Sequence, residues 1–368
     1  MQFIDLKRQY QVIEHQIDQR IKKVLQHAQF ILGPEVNELE KLLAEFVGVK
    51  HGIAVANGTD ALLMAMMALN IAPGDEIITT AFTFFATAEM MLLLGAKPVF
   101  VDIDPHTYLM DPSQIEAAIT AKTKAIMPVS LYGQTADMDL INAIAKKYHL
   151  PVIEDAAQSF GATYHGRQSC GLSTLGCTSF FPSKPLGCYG DGGAIFTNDD
   201  HLAQKLLEIR VHGQTQRYVH TSLGINGRFD TIQAAILLEK MKIFDQEIKQ
   251  RHEIGAYYSE LLKDCVVVPQ VAAYNTCVFA QYTIRVRERE EFCKNLQKAG
   301  IPTAVHYPIP LTKQPLLQNM ACAQVSLPHT EKATAEVVSL PMHPYLTQAE
   351  IEWICKTVSD LVVEPVAA

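Results

Sequence analysis

Over the first 240 residues, short apolar runs alternate with stretches whose apolar positions recur at helical spacing. The strand-like runs are residues 76–79, 98–102, 125–130, 152–154, 178–181 and 194–197. The helical patterns between most of them cover 60–69, 87–94, 113–119, 138–148 and 201–209. Strands separated by helices of this length predict crossover connections and a mostly parallel sheet. Strands buried on both faces read as continuous apolar runs, as these do.

A long helix is predicted to begin after Asp230, a good N-cap, with Leu237, Met241, Phe244 and Ile248 on one stripe. It runs past the last sheet strand, which puts a boundary inside it: a large unit over residues 1–245 and a smaller α+β unit over 246–368. In the smaller unit, residues 282–286 read as a strand. Residues 290–298 read as a helix closed by Gly300, and Thr347-Gln-Ala-Glu350 is a capping box before the stripe Ile351, Ile354, Val358 and Leu361.

At 368 residues and 48% hydrophobic, the chain suits two to three domain equivalents of about 150 residues and is too apolar for disorder. The net charge of −8 and the interruption of Arg285, Arg287 and Arg289 by Glu288, Glu290 and Glu291 argue against phosphate-driven nucleic-acid binding. No apolar run reaches the roughly 18 residues of a membrane span. No basic stretch precedes an apolar run at the start, so a signal peptide is not expected. The eight cysteines show no C-x-x-C spacing, which points to reduced thiols and no zinc ribbon. A cytoplasmic location is the expectation.

Three stretches carry chemistry. Ala56-Asn57-Gly58-Thr59-Asp60 leads straight into an apolar helix, and the free N–H groups and dipole of such a helix start favour an anion. Val152-Ile153-Glu154-Asp155 is a buried strand that ends in carboxylates, followed by Gln158. Ligands of parallel sheets sit at the carboxyl ends of strands. A buried Asp155 stays ionised only beside a positive partner. Successive side chains of a strand point to opposite faces, so one of the two carboxylates can serve a ligand while the other serves the structure. Finally, Ser179-Phe180-Phe181-Pro182-Ser183-Lys184-Pro185-Leu186-Gly187 runs into Gly190-Asp191-Gly192-Gly193. Burial disfavours an ammonium and frees the amine as a nucleophile, which makes Lys184 the candidate. The glycines are expected to let the backbone approach a ligand closely.

These residues, with Thr83-Phe84, Gly224-Ile-Asn226-Gly-Arg228 and Gln233-Ala-Ala235, resemble the pyridoxal-phosphate sugar aminotransferases of the DegT/DnrJ/EryC1/StrS family over nearly the whole chain. The resemblance implies an α/β fold of the type I, aspartate-aminotransferase-like class, with a mostly parallel mixed sheet and a small α+β C-terminal domain. It implies that Lys184 forms a Schiff base with pyridoxal 5'-phosphate and moves the proton, and that Asp155 holds the ring nitrogen protonated. Gln158 would bond the phenolic oxygen, while Gly58, Thr59 and Ser179 hold the phosphate and Phe84 stacks on the ring. Asn226 would reach the phosphate of a neighbouring subunit, which implies a homodimer with shared sites. His306 and Tyr307 resemble a segment that closes over substrate.

A lysine at position 184 favours transamination over dehydration, because family members that remove a hydroxyl have histidine there. L-Glutamate is the expected donor. The segments 180–193 and 304–310 resemble enzymes that aminate C3 of UDP-2-acetamido-2-deoxy-3-keto-glucuronic acid for O-antigen precursors. A uronate carboxylate suits a fork-shaped guanidinium, and Arg228 from the partner is the candidate, against an interface ion pair. The alternatives are a C4 aminotransferase of a 4-keto-6-deoxy nucleotide sugar and a non-catalytic cofactor-binding regulator. A dinucleotide oxidoreductase is set aside, because no G-x-G-x-x-G follows a strand.

Overall fold

A computed structural model describes residues 1–362; residues 363–368, which the sequence places in the 246–368 unit, lie outside the described residues. The central sheet contains β1 (His51–Val55), β2 (Glu76–Thr80), β3 (Lys97–Val101), β4 (Thr123–Ile126), β5 (Ile153–Asp155), β6 (Leu175–Ser179) and β7 (Gly193–Thr197). Two ladders, β3-β2-β4 and β5-β6-β7-β1, are joined by parallel bridges Ile126–Val152 and Val129–Asp155. β7 is antiparallel to both β6 and β1, while the β2–β3, β2–β4 and β5–β6 pairs are parallel. The sheet is therefore mixed and mostly parallel, as expected.

The first seven longer helices are α1 (Leu6–His27), α2 (Pro34–Val47), α3 (Gly58–Ala68), α4 (Ala86–Leu93), α5 (Met138–Lys147), α6 (Asp200–Ile209) and α7 (Thr231–Leu262). α3 packs on β6 and β7, α2 on β1, and α1 lies across α7. α3 is apolar on nearly every side, with Leu62, Met64, Ala65 and Met66 all buried, which fixes the direction of its N-terminus. α1, α2 and β1 stand outside the alternation read from the sequence. α1 is mostly polar and buries only Gln9, Ile13, Ile17 and Val24, so its stripe is thin.

Three local expectations are corrected. Residues 113–119 hold a 3-10 turn and a single helical turn, Ile115–Ala118, because only Ile115 is buried there. The strand expected at 178–181 ends at Ser179. Beyond it the Phe180 N–H bonds Gly192 O at 2.7 Å, and the Phe181 N–H turns back to Ser179 Oγ at 3.2 Å. Asp230 occupies the N-cap position of α7, but its side chain makes no capping bond; the Thr231 N–H goes instead to Phe30 O at 2.8 Å.

In the C-terminal part, β8 (Tyr282–Arg285) pairs antiparallel with β9 (Val337–Leu340), flanked by α8 (Arg289–Lys298), α9 (Pro328–Glu336) and α10 (Gln348–Leu361). Gly300 follows α8 with φ +81°, the left-handed position that glycine takes without strain. Thr347 and Glu350 form the expected capping box. Tyr258, Ile284, Leu296, Val338 and Ile354 share one core here. The connection between α8 and α9 reaches back: Leu311, Leu317 and Leu327 pack with Ala81 after β2, Ala88 of α4 and Phe100 of β3. That return path carries residues 306 and 307 to the end of the sheet. Among the described residues no helix is long and apolar enough to cross a membrane, and no group of His, Cys, Asp or Glu could hold a metal.

Candidate active site

The carboxyl ends of β5 and β6, the start of α3, the 181–184 turn and the 306–307 segment enclose a cavity of about 640 Å³. Such a crevice at strand ends is where an open α/β sheet binds ligands. Gly58, Thr59, Phe84, Asp155, Gln158, Ser179, Lys184, His306 and Tyr307 all line it.

One end suits an anion. Asn57 caps α3, accepting the Asp60 N–H at 2.7 Å, an interaction worth about 1 kcal/mol. Gly58 and Thr59 occupy the first turn, where backbone N–H groups lack intrahelical acceptors. A Cβ on Gly58 would stand 2.7 Å from the Ser179 Cβ, so only glycine lets the helix start sit this close to the end of β6. The Ser179 Oγ accepts from Phe181, which leaves its own O–H free to donate. The later glycines do something other than expected. A Cβ at Gly193 would meet Asn57 O at 2.6 Å, and one at Gly192 would meet the Phe229 ring at 2.7 Å. Their small size lets β7 pack on the α3 cap and on Phe229, and in this stretch it is Asp191 that lines the cavity.

Asp155 lines the same cavity. Its Oδ2 accepts from Thr87 Oγ1 at 2.8 Å and its Oδ1 from the Ala157 N–H at 3.3 Å. Burial raises its pKa, against the lowering effect of these two donors and of Lys184. Glu154, one position earlier, is wholly buried on the other side of the strand. There it accepts from Ser130 Oγ (2.8 Å), Ser169 Oγ (2.9 Å) and the Cys170 N–H (2.9 Å). The strand alternation thus separates a cavity carboxylate from a structural one.

Lys184 stands at the cavity wall on the turn whose N–H bonds Phe181 O at 2.9 Å. Loss of hydration lowers its pKa to about 8, although Asp155 opposes the shift. A second buried lysine secures the turn from behind. Lys240 Nζ donates to Gly187 O at 2.6 Å and lies 4.2 Å from the Tyr189 ring centre. Burial lowers its pKa to about 8 as well.

Gln158 is held on both sides. Its Oε1 accepts the Tyr132 N–H at 2.8 Å, and its Nε2 donates to Tyr307 OH at 3.1 Å, leaving one N–H of the amide free. The Tyr307 ring lies 6.0 Å from that of Phe84, which is exposed. His306 pairs Nδ1 with Ser339 Oγ at 2.9 Å, and Tyr132 OH donates to the His306 carbonyl. Burial, with Lys184 nearby, lowers the imidazole pKa to about 4, so His306 is neutral near pH 7. Thr87, Tyr132 and Lys240 escaped the sequence reading. Each looks there like an ordinary helix or core residue, and its role comes from contacts distant in the chain.

Asn226 and Arg228 do not line the cavity of their own chain. Their segment is tied to the residue before the α3 cap by the Ala56 N–H to Gly227 O bond of 3.0 Å, and Asn226 is exposed. Close in sequence, Tyr218 and Leu223 are 79% and 87% exposed.

The donor set suits pyridoxal phosphate. An anion seat at Gly58, Thr59 and Ser179, a buried carboxylate wanting a cationic N–H at Asp155, and a desolvated amine at Lys184 match its phosphate, ring nitrogen and aldehyde. The fold is that of a type I pyridoxal-phosphate transferase. A sequence model described as the DegT/DnrJ/EryC1/StrS aminotransferase family matches residues 11–359, and the chain belongs to that family of nucleotide-sugar aminotransferases. It is 58% identical over 361 residues to the UDP-2-acetamido-2-deoxy-3-oxo-D-glucuronate aminotransferase of Pseudomonas aeruginosa, covering 98% of this chain and 100% of that one. It is 48% identical over 361 residues, 97% of each chain, to a Geobacillus stearothermophilus protein named pleiotropic regulatory protein. The crystal structure of NtdA from Bacillus subtilis with bound cofactor PMP superposes with a TM-score of 0.88 at 34% identity, covering 94% of this chain and 81% of that one.

Proposed function

We propose that this enzyme moves an amino group from L-glutamate to C3 of UDP-2-acetamido-2-deoxy-3-keto-glucuronic acid, as a step toward surface-polysaccharide precursors. The observation that carries the chemistry is a single cavity holding a desolvated Lys184, a Thr87-bound Asp155 and the open N-terminus of α3. The choice of sugar rests on likeness to the Pseudomonas aeruginosa enzyme.

Bound pyridoxal phosphate supplies the aldehyde that carries nitrogen and a protonated ring that draws electrons from the carbon losing its proton. The chain supplies the rest. Gly58, Thr59 and Ser179 hold the phosphate; Asp155 keeps its carboxylate against the ring N–H; Gln158 gives its free N–H to the phenolic oxygen; Phe84 covers one face. Lys184, whose amine is neutral above about pH 8, takes the α-proton of L-glutamate and returns a proton to C3 of the sugar. His306 and Tyr307, brought in from the 246–368 unit, meet the sugar or its diphosphate.

In this reading the enzyme is a homodimer, and the exposed Tyr218 and Leu223 belong to its interface. Asn226 and Arg228 cross to the partner, Asn226 toward the phosphate and Arg228 toward the uronate carboxylate.

Incubation of the holoenzyme with L-glutamate and each keto sugar, followed by mass spectrometry, tests the reading. The expected result is exchange of the carbonyl oxygen for an amino group on the 3-keto uronate, with 2-oxoglutarate released. Amination of a 4-keto-6-deoxy sugar alone would make it a C4 enzyme. A second reading, a cofactor-binding regulator, is favoured by the name of the Geobacillus relative; cofactor binding with no amination of any keto sugar would support it.

A further inference from the structure

His306 belongs to a ring of hydrogen bonds that closes on its own backbone. Ser339 of β9 and Thr283 of β8 are cross-strand partners, both buried, with their hydroxyl oxygens 2.9 Å apart. Ser339 Oγ also lies 2.9 Å from His306 Nδ1. The Thr283 hydroxyl hydrogen-bonds the Tyr132 oxygen, and Tyr132 OH donates to the His306 carbonyl.

That carbonyl sets the direction of every bond in the ring. It only accepts, so the single proton of Tyr132 is committed to it. Toward Thr283 the Tyr132 oxygen is then an acceptor. Thr283, with one proton to give, accepts in turn from Ser339, and Ser339 accepts from His306. His306 is neutral near pH 7, so its one ring proton stands on Nδ1 and Nε2 carries a lone pair. Nε2 has no partner among the described residues and, unlike His252 Nε2 and His343 Nδ1, is not sealed from contact. The residue lines the cavity, and its ring lies close enough to Lys184 to feel that charge.

A lone pair in this place selects what it meets. Diphosphate and uronate oxygens only accept, as do the carboxylates of L-glutamate, and the glutamate amine is consumed by the reaction. The pyranose offers hydroxyls and an acetamido N–H, and it is the part of the substrate that must lie beside Lys184.

We propose that Tyr132, Thr283 and Ser339 are positioning residues that hold His306 in its Nδ1–H form, and that His306 Nε2 accepts a hydroxyl or acetamido N–H of the pyranose, not the diphosphate. This deepens, and rests on, the aminotransferase function proposed above.

Nitrogen NMR of holoenzyme carrying 15N-histidine reads the tautomer without any substrate, with the His306 signals identified by their loss in His306→Gln. The expected result near pH 7 is a proton on Nδ1, and a change at Nε2 when the aminated UDP-sugar binds. A proton on Nε2, or on both nitrogens, overturns the proposal even if the enzyme is active. Wild-type enzyme that aminates no sugar would instead sink the aminotransferase function itself. Ser339→Ala and Thr283→Val break the ring at different links. Each should populate the Nε2–H form, and each should weaken binding of the aminated UDP-sugar in calorimetry and lower kcat/KM of the sugar half-reaction about tenfold. Binding of UDP and the glutamate half-reaction should stay within about twofold. Thr283→Ser, which keeps the hydroxyl, should behave as wild type. UDP weakened as much as the UDP-sugar would place His306 on the nucleotide, and losses with the tautomer unchanged would leave the three residues a packing role only; either result overturns the proposal.

Discussion

Thr87 donates its hydroxyl to Asp155 Oδ2 at 2.8 Å and is itself backed by Thr83 Oγ1 at 3.1 Å. The cavity carboxylate is thus oriented from the first turn of α4, an element on another part of the chain. The donation lowers the Asp155 pKa while burial raises it. Thr87→Val removes the lowering influence, so the acid limb of the holoenzyme's pH–rate profile should move upward by about one pH unit, for a hydrogen bond of roughly 1–1.5 kcal/mol. Thr87→Ser should restore the wild-type profile. An unmoved limb in Thr87→Val would show that the contact does not tune the carboxylate.

The Lys184 amine should become reactive well below an ordinary lysine. Only the neutral amine attacks an aldehyde, and its pKa lies at about 8 instead of 10.5. Stopped-flow capture of pyridoxal phosphate by apoenzyme should rise with pH and level off above about 8. Lys184→Ala should show no such phase and no yellow lysine-bound cofactor. A rate still climbing at pH 10 would mean that the amine is hydrated.

Lys240 offers a stability test with a defined sign. Its pKa is about 8 in the folded chain against 10.5 for the free side chain, so the unfolded state binds the extra proton between those values. Stability from this group therefore rises with pH across about 8 to 10.5, by roughly 3 kcal/mol at most. Urea unfolding of wild type and Lys240→Met should show their difference shifting toward the wild type over that window. A constant difference would refute the depressed pKa.

Shared sites can be tested by mixing. Lys184→Ala and Asn226→Ala homodimers should each be nearly inactive. Unfolded together and refolded as heterodimers, they should regain activity, because one of the two sites then has both intact residues. No recovery, with heterodimers shown by mass spectrometry, would confine Asn226 to its own subunit.

The mostly parallel sheet was legible because short apolar runs in β2 to β5 and β7 are separated by helical patterns, while the run at 178–181 caught only the end of β6. The candidate site was legible because Asp155 ends a strand, Gly58 starts a helix and Lys184 stands on the turn after a strand, where local sequence and chemistry coincide. Thr87, Tyr132 and Lys240 were not. A threonine in a helix start, a tyrosine in a turn and a lysine inside a helix carry no local mark, and their meaning comes from groups more than 25 positions away. The role of the glycines at 192 and 193 was misread for the same reason: the atoms they make room for belong to Phe229 and Asn57.

Glu154 and Asp155 are neighbours in the chain and strangers in space, one locked among serines and the other facing the ligand space. Their assignment depends on how Ile153, Glu154 and Asp155 align with Leu175, Gly176 and Cys177 on the adjoining strand. A slip by a single position would turn the longer acid toward the cavity and drive the shorter one into the protein interior. Pairing of two backbone segments therefore determines which carboxylate this protein presents to the cavity, and an insertion or deletion between residues 151 and 155 would turn it away without changing either acid.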